Sequence, residues 1–219
     1  MNKILIILFL LTGVAQAQTA QQIIEQHLQN SGGIHAWNQL NSILVEAEVS
    51  VDVSEVVSVL IEHKRPYFKR VSYIINNKEQ LSEGYDGRQA FTFNELNGKY
   101  RLLSNYTPDS FETDILNYEK KGFRAELIGK EKLNGKEVFK IKLIKNTIVD
   151  YYYFDTENYQ LLREENQLEA VNYSDFKSVK GLSFAHRIEA TPIGGKEYVV
   201  VMKKIVPNAA IDDSRFKFN

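Results

Sequence analysis

Between Ile43 and Val53 every odd position is apolar: Ile43, Val45, Ala47, Val49, Val51 and Val53. Glu46, Glu48, Ser50 and Asp52 stand between them. Strict alternation of this kind predicts a strand with one dry and one wet face. Weaker runs of the same type predict strands over 57–63, 67–75, 81–85, 89–93 and 100–103. After a break they resume over 125–128, 138–144, 149–154, 160–165, 170–176, 182–188 and 197–206. Asp86-Gly87, Asn97-Gly98 and Asn134-Gly135 sit between such runs and read as tight hairpin turns.

Three stretches show the other period. Ile23, Ile24, His27 and Leu28 share one face of a helix over 19–30, capped by Thr19 and stopped by Gly32-Gly33. A short helix over 34–40 places Trp37 and Leu40 on one side. Thr107-Pro108-Asp109 opens a third, with Phe111, Ile115 and Tyr118 on one face and Lys120, Lys121 and Gly122 at its end. The two N-terminal helices cannot bury their stripes on each other alone and need a sheet beneath them. Together these elements predict a mainly β, α+β fold: an incomplete antiparallel barrel of about eleven strands with a helical lid. A two-sheet sandwich is the alternative.

The first seventeen residues change the picture of where the chain works. Lys3, the apolar run from Ile4 to Leu11 and Ala15-Gln16-Ala17 have the order of a secretory signal, with Gln18 as the first mature residue. The run falls short of the roughly 20 residues that span a bilayer. A signal at 1–17 and a single domain over 18–219 are therefore expected, in the periplasm, soluble and without a lipid anchor. Zero cysteines exclude disulfides, thiol catalysis, thiolate metal sites and a lipid-bearing cysteine after the signal. A net charge of −1 leaves no electrostatic footprint for nucleic acid.

No catalytic constellation emerges. His27, His35, His63 and His186 lack metal-ligand spacing with one another, and no serine has a nucleophile-elbow context. Asp212 and Asp213 are expected to be solvated charge. In Tyr151-Tyr152-Tyr153-Phe154 successive rings point to opposite faces, so packing is favoured over base or sugar stacking. No cofactor or metal is implied, and the chain reads as a non-enzyme.

Several segments, taken in order, resemble the LolA-like outer-membrane lipoprotein-sorting superfamily. They are Gly84-Tyr85-Asp86-Gly87 with Ala90-Phe91, then residues 125–143, 151–165 and 173–189, and the ending over 211–218. Ala185 stands after Phe184 where similar sequences usually carry proline. The resemblance implies a half-barrel around a helix-lidded apolar cavity that binds acyl chains of lipid or lipoprotein. It also implies membrane-bound donor and acceptor proteins as partners, and no catalytic residues. The apolar lining expected on this basis is Ile23, Ile24, Leu28, Trp37, Leu40, Val45, Val49 and Val51. A solid core built from the same residues is the other reading of that face. The competing function is a protein-interaction or sensor domain on the same scaffold. A hydrolase would need a nucleophile beside His63 or His186.

Overall fold

The computed structural model describes residues 18–52, 55–94, 97–104, 106, 108 and 111–218. The expected signal segment, Val53, and Thr107 and Asp109 of the predicted third helix lie outside the described residues.

Helix α1, Ala20–Asn30, starts as its sequence directs. Thr19 Oγ accepts from Gln22 N at 3.2 Å while Gln22 Oε1 accepts from Thr19 N at 2.9 Å. These reciprocal bonds satisfy two orphan donors of the first turn. At the other end Gly32 has φ 125°, and a Cβ there would stand 2.5 Å from the Gly181 carbonyl oxygen. Only glycine permits both the turn and that approach. Helix α2, Ile34–Asn38, is a single turn shorter than expected, and Leu40 beyond it is buried.

Among the described residues thirteen strands follow, against the expected eleven or so. They are β1 Ser42–Asp52, β2 Glu55–Lys64, β3 Phe68–Ile75, β4 Lys78–Tyr85, β5 Ala90–Asn94, β6 Lys99–Leu103 and β7 Arg124–Leu133. After them come β8 Lys136–Lys145, β9 Ile148–Asp155, β10 Leu161–Glu165, β11 Glu169–Val179, β12 Leu182–Pro192 and β13 Tyr198–Pro207. All pair antiparallel in one sheet ordered β6-β5-β4-β3-β2-β1-β13-β12-β11-β10-β9-β8-β7. One unclosed sheet replaces the sandwich alternative.

The pairing of β1 with β13 moves β6 and β7, neighbours in the chain, to opposite edges. The segment joining them therefore crosses from one edge of the sheet to the other. Its described part, 111–122, is a series of bends and turns rather than the expected helix. Asn117 adopts φ 54°, and Leu116 N bonds Thr113 O in a three-residue step. A left-handed residue mid-segment ends any α-helical ladder. The apolar residues that mimic a helix face are drawn to two places instead. Phe111 packs with Ile43, Val45 and Ile205. Ile115 and Leu116, 0% and 1% exposed, pack under α1 against Ile141, Leu143, Tyr152 and Phe154.

The opposite face of β2–β5 is covered by the C-terminus. Asp212 caps the 3-10 helix Asp213–Phe216 by accepting from Ser214 N at 2.8 Å. Arg215 then bridges the buried Glu62 to the exposed Glu79, and Phe218 packs on Phe91 with ring centroids 5.1 Å apart.

Candidate functional site

Directly opposed residues in a ladder share a face, so the register traces the inner surface of the half-barrel. Val45, Ala47 and Val49 of β1 oppose Ile61, Val59 and Val57 of β2. On the other side they oppose Ile205, Met202 and Val200 of β13. The same surface continues through Ile188 of β12, Tyr173 of β11, Glu164 of β10 and Tyr152 of β9.

Cover over this surface is uneven. Ile43, Val45, Ala47, Val59 and Ile205 are buried beneath Phe111 and its neighbours. Farther along the same strands Val49 and Val200 are half-buried, while Val57 and Val51 are 38% and 49% exposed. The dry face thus runs out from under its cover toward the β1–β2 turn. A second opening, about 460 Å³, lies between the start of α1 and edge strand β7, lined in part by Ala20, Tyr118, Phe123, Ala125 and Leu127.

Toward α1 the inner face turns polar. Glu164 Oε2 accepts from the Tyr173 hydroxyl at 3.3 Å and its Oε1 from the Tyr152 hydroxyl at 3.5 Å. Burial pushes the Glu164 carboxyl up to about 7, and the Asp150 carboxylate adds to the push. Lys145 pairs with the fully buried Asp150 and, at 2.5 Å, with Asp114 of the crossing segment. His27 of α1 faces the Tyr159 carbonyl through Nδ1 at 2.9 Å, and burial drives its imidazole down to about 4. Crossing segment and helix are thus fastened to the sheet by buried ionisable groups.

The eight expected lining residues do not form one surface. Ile23, Ile24 and Leu28 belong to the packed cluster under α1, with Trp37 at its margin. Trp37 donates Nε1–H to Ser31 Oγ at 3.0 Å and meets Phe184 edge-on. Leu40 is 1% exposed, and Val45 sits in the second cluster. Of the eight, Val49 reaches the uncovered strip, and Val51, 49% exposed, falls at the irregularity between Ser50 and Asp52 near the β1–β2 turn. The companions of Val49 there, Val57 and Val200, come from β2 and β13, whose own apolar runs were visible but whose register was not.

The histidines stay apart from any catalytic arrangement. His186 is buried with Nδ1 3.1 Å from the Phe184 carbonyl, and His63 stacks edge-on with Phe111. Among the described residues no three His, Asp or Glu side chains gather as metal ligands. Tyr152 and Phe154 enter the core, whereas Lys140 lies over the rings of Tyr151 and Tyr153 at 5.1 and 4.9 Å. Among the described residues no helix is long and apolar enough to cross a membrane.

No protein-family model and no curated protein matches the chain. Its fold is LolA-like. A solved LolA superfamily protein from Nitrosomonas europaea superposes with TM-score 0.58 at 14% identity, over 92% of this chain and 98% of that one. A DUF1329 family protein from Desulfovibrio piger superposes with TM-score 0.56 at 9% identity, again over 92% and 98%. At these identities the likeness is one of fold.

Proposed function

We propose that this chain is an exported, soluble carrier that holds acyl chains of a lipid or lipoprotein against the inner face of its half-barrel. One observation carries the reading: the apolar inner face continues past its cover as the strip Val49, Val57 and Val200, with Val51 exposed just beyond it. An acyl chain needs apolar contact and no exact polar partner, with each buried methylene contributing about 0.8 kcal/mol. Val45 belongs to the packed cluster from which the strip extends, while Ile23, Ile24, Leu28 and Leu40 are buried elsewhere, with Trp37 at the margin of the cluster under α1. The LolA-like fold supports the class of function. Donor and acceptor proteins in or on membranes complete the reading, which asks for no catalysis and no cofactor.

Native mass spectrometry of the protein recovered after export tests this directly. The expected mass begins at Gln18 and carries a stoichiometric acyl ligand that denaturation releases. Val51→Asp and Val57→Asp should lose the ligand with unchanged circular dichroism. A clean ligand-free mass, with no uptake of fatty acid or lipopeptide on titration, would sink the carrier. It would favour the protein-interaction reading, for which edge strand β6 offers the exposed Tyr100 and Leu102.

A further inference from the structure

Antiparallel pairing sends alternate hairpin turns to opposite rims of the sheet. The β1–β2, β3–β4, β8–β9, β10–β11 and β12–β13 turns all lie on one rim. Each presents at least one exposed aliphatic side chain: Val51 and Val56, Ile75, Ile148, Leu168 and Ile193. Leu168 and Ile193 are 77% and 75% exposed, the most open of the set. They are held side by side, since Ile193 N donates to Leu168 O at 2.8 Å. Asn166 Oδ1 accepts from the Leu168 and Glu169 amides, which fixes how Leu168 projects. The opposite rim exposes Ile34 and Tyr67.

Single exposed apolar residues are ordinary on a protein surface. Here exposed aliphatic side chains stand at five of the six hairpin turns on a single edge, the β5–β6 turn being the sixth, and that is a pattern. We propose that this rim docks on a lipid bilayer surface, with the hairpin ends entering the headgroup layer.

The composition of the rim favours lipid over a protein partner. Protein hot spots draw on Trp, Tyr and Arg set in a continuous, well-packed patch. Here the exposed groups are Val, Ile and Leu on separate points, with Tyr100 at the start of β6 the one exposed aromatic among the described residues of this rim. Between them stand Asn76-Asn77, Asn146-Thr147, Asn166-Gln167 and Gly194-Gly195, uncharged and able to bond headgroup oxygens. Exposed Lys78, Lys99 and Lys196 are offset by exposed Glu55 and Glu197. With charge so balanced, attraction rests on apolar insertion rather than on anionic lipid. Continuity adds to the case: Val49 and Val57 of the strip lie on the two strands that the β1–β2 turn joins, so docking brings the strip to the surface from which an acyl chain would be collected.

The inference extends the carrier reading, and its test reads vesicle binding separately from ligand uptake, so each can fail alone. Protein recovered after export, its N-terminus established by mass, is sedimented with phosphatidylcholine vesicles at low and high salt. Wild type should pellet with the vesicles at both. Leu168→Asp/Ile193→Asp should bind at least about tenfold more weakly, since two apolar insertions are replaced by charges. Ile34→Asp, a comparable change on the other rim, should bind as wild type does. Both positions are exposed, and matching thermal melts would show the fold intact. Wild type left in the supernatant, equal losses for the two variants, or pelleting confined to phosphatidylglycerol vesicles and abolished by salt would each overturn the proposal. Fatty-acid uptake by Leu168→Asp/Ile193→Asp, read separately by native mass spectrometry, should equal that of wild type.

Discussion

Glu164→Gln should stabilise the protein in a strongly pH-dependent way. Folding moves the Glu164 carboxyl from its ordinary 4.5 to about 7, chiefly through burial. The unfolded chain therefore releases its proton at lower pH than the folded one. Below 4.5 both states hold the proton and nothing is lost. As pH rises from 4.5 to 7 the unfolded state gains, and above 7 the cost levels at about 3 kcal/mol. His27 works in the opposite sense. Its folded value of about 4, against 6.5 in the open, favours unfolding in acid, and stability is recovered as pH rises from 4 to 6.5. The two slopes oppose each other between pH 4.5 and 6.5. Urea denaturation of both proteins at pH 4 and 8.5 isolates the Glu164 contribution, because His27 and any constant effect of the amide drop out of the difference. Glu164→Gln should gain about 3 kcal/mol relative to wild type on going from pH 4 to 8.5. An advantage that is the same at both pH values would refute the assignment of a buried, neutralised carboxyl.

Two further changes probe the covers on the two faces of the sheet. Leu116→Ala, in the crossing segment at 1% exposure, should cost about 2–5 kcal/mol in urea denaturation. A loss below 1 kcal/mol would mean the segment does not pack as described. Gly84→Ala would place a Cβ 2.2 Å from the Phe218 ring, forcing the C-terminal segment outward. About 1–3 kcal/mol of destabilisation is expected, with faster carboxypeptidase trimming. Adding Phe218→Ala should make the pair markedly less costly than the sum of the single changes.

How much of this was readable from the chain follows the range of each interaction. The Thr19 cap of α1 and the alternation of β1 depend on residues within a turn of one another, and both stand as expected. The unclosed antiparallel sheet also follows from the run of hairpins. The crossing segment was misread for a physical reason. Phe111, Ile115 and Tyr118 have helical spacing, but that spacing equally serves a chain threaded between two core clusters, and Asn117 at φ 54° decides for the latter. The polar centre was invisible because Asp150, Glu164 and Tyr173 come from three strands whose register no single sequence reveals. The lining was half legible for the same reason: alternation identifies the dry face, and only three-dimensional cover tells Val45, which is buried, from Val51, which is not.

That distinction also decides where an acyl chain can sit. To enter beneath α1 it would have to displace Ile115 and Leu116, re-exposing two large side chains at about 3–6 kcal/mol. A long chain returns on the order of 10 kcal/mol gross, and association consumes about 4 kcal/mol or more. Little would remain for binding. A chain laid along Val49, Val57 and Val200 displaces nothing, so the contribution of the surface it buries there is not offset by re-exposed side chains. The two placements respond oppositely to the same substitution. Leu116→Ala opens space in the interior, so an interior site should take up fatty acid more tightly, by about tenfold for the 1.4 kcal/mol that one easier displacement returns. A site on the open strip should be unaffected by Leu116→Ala and abolished by Val57→Asp. Fatty-acid titration followed by native mass spectrometry reads both, and tighter uptake by Leu116→Ala would move the site under the helix.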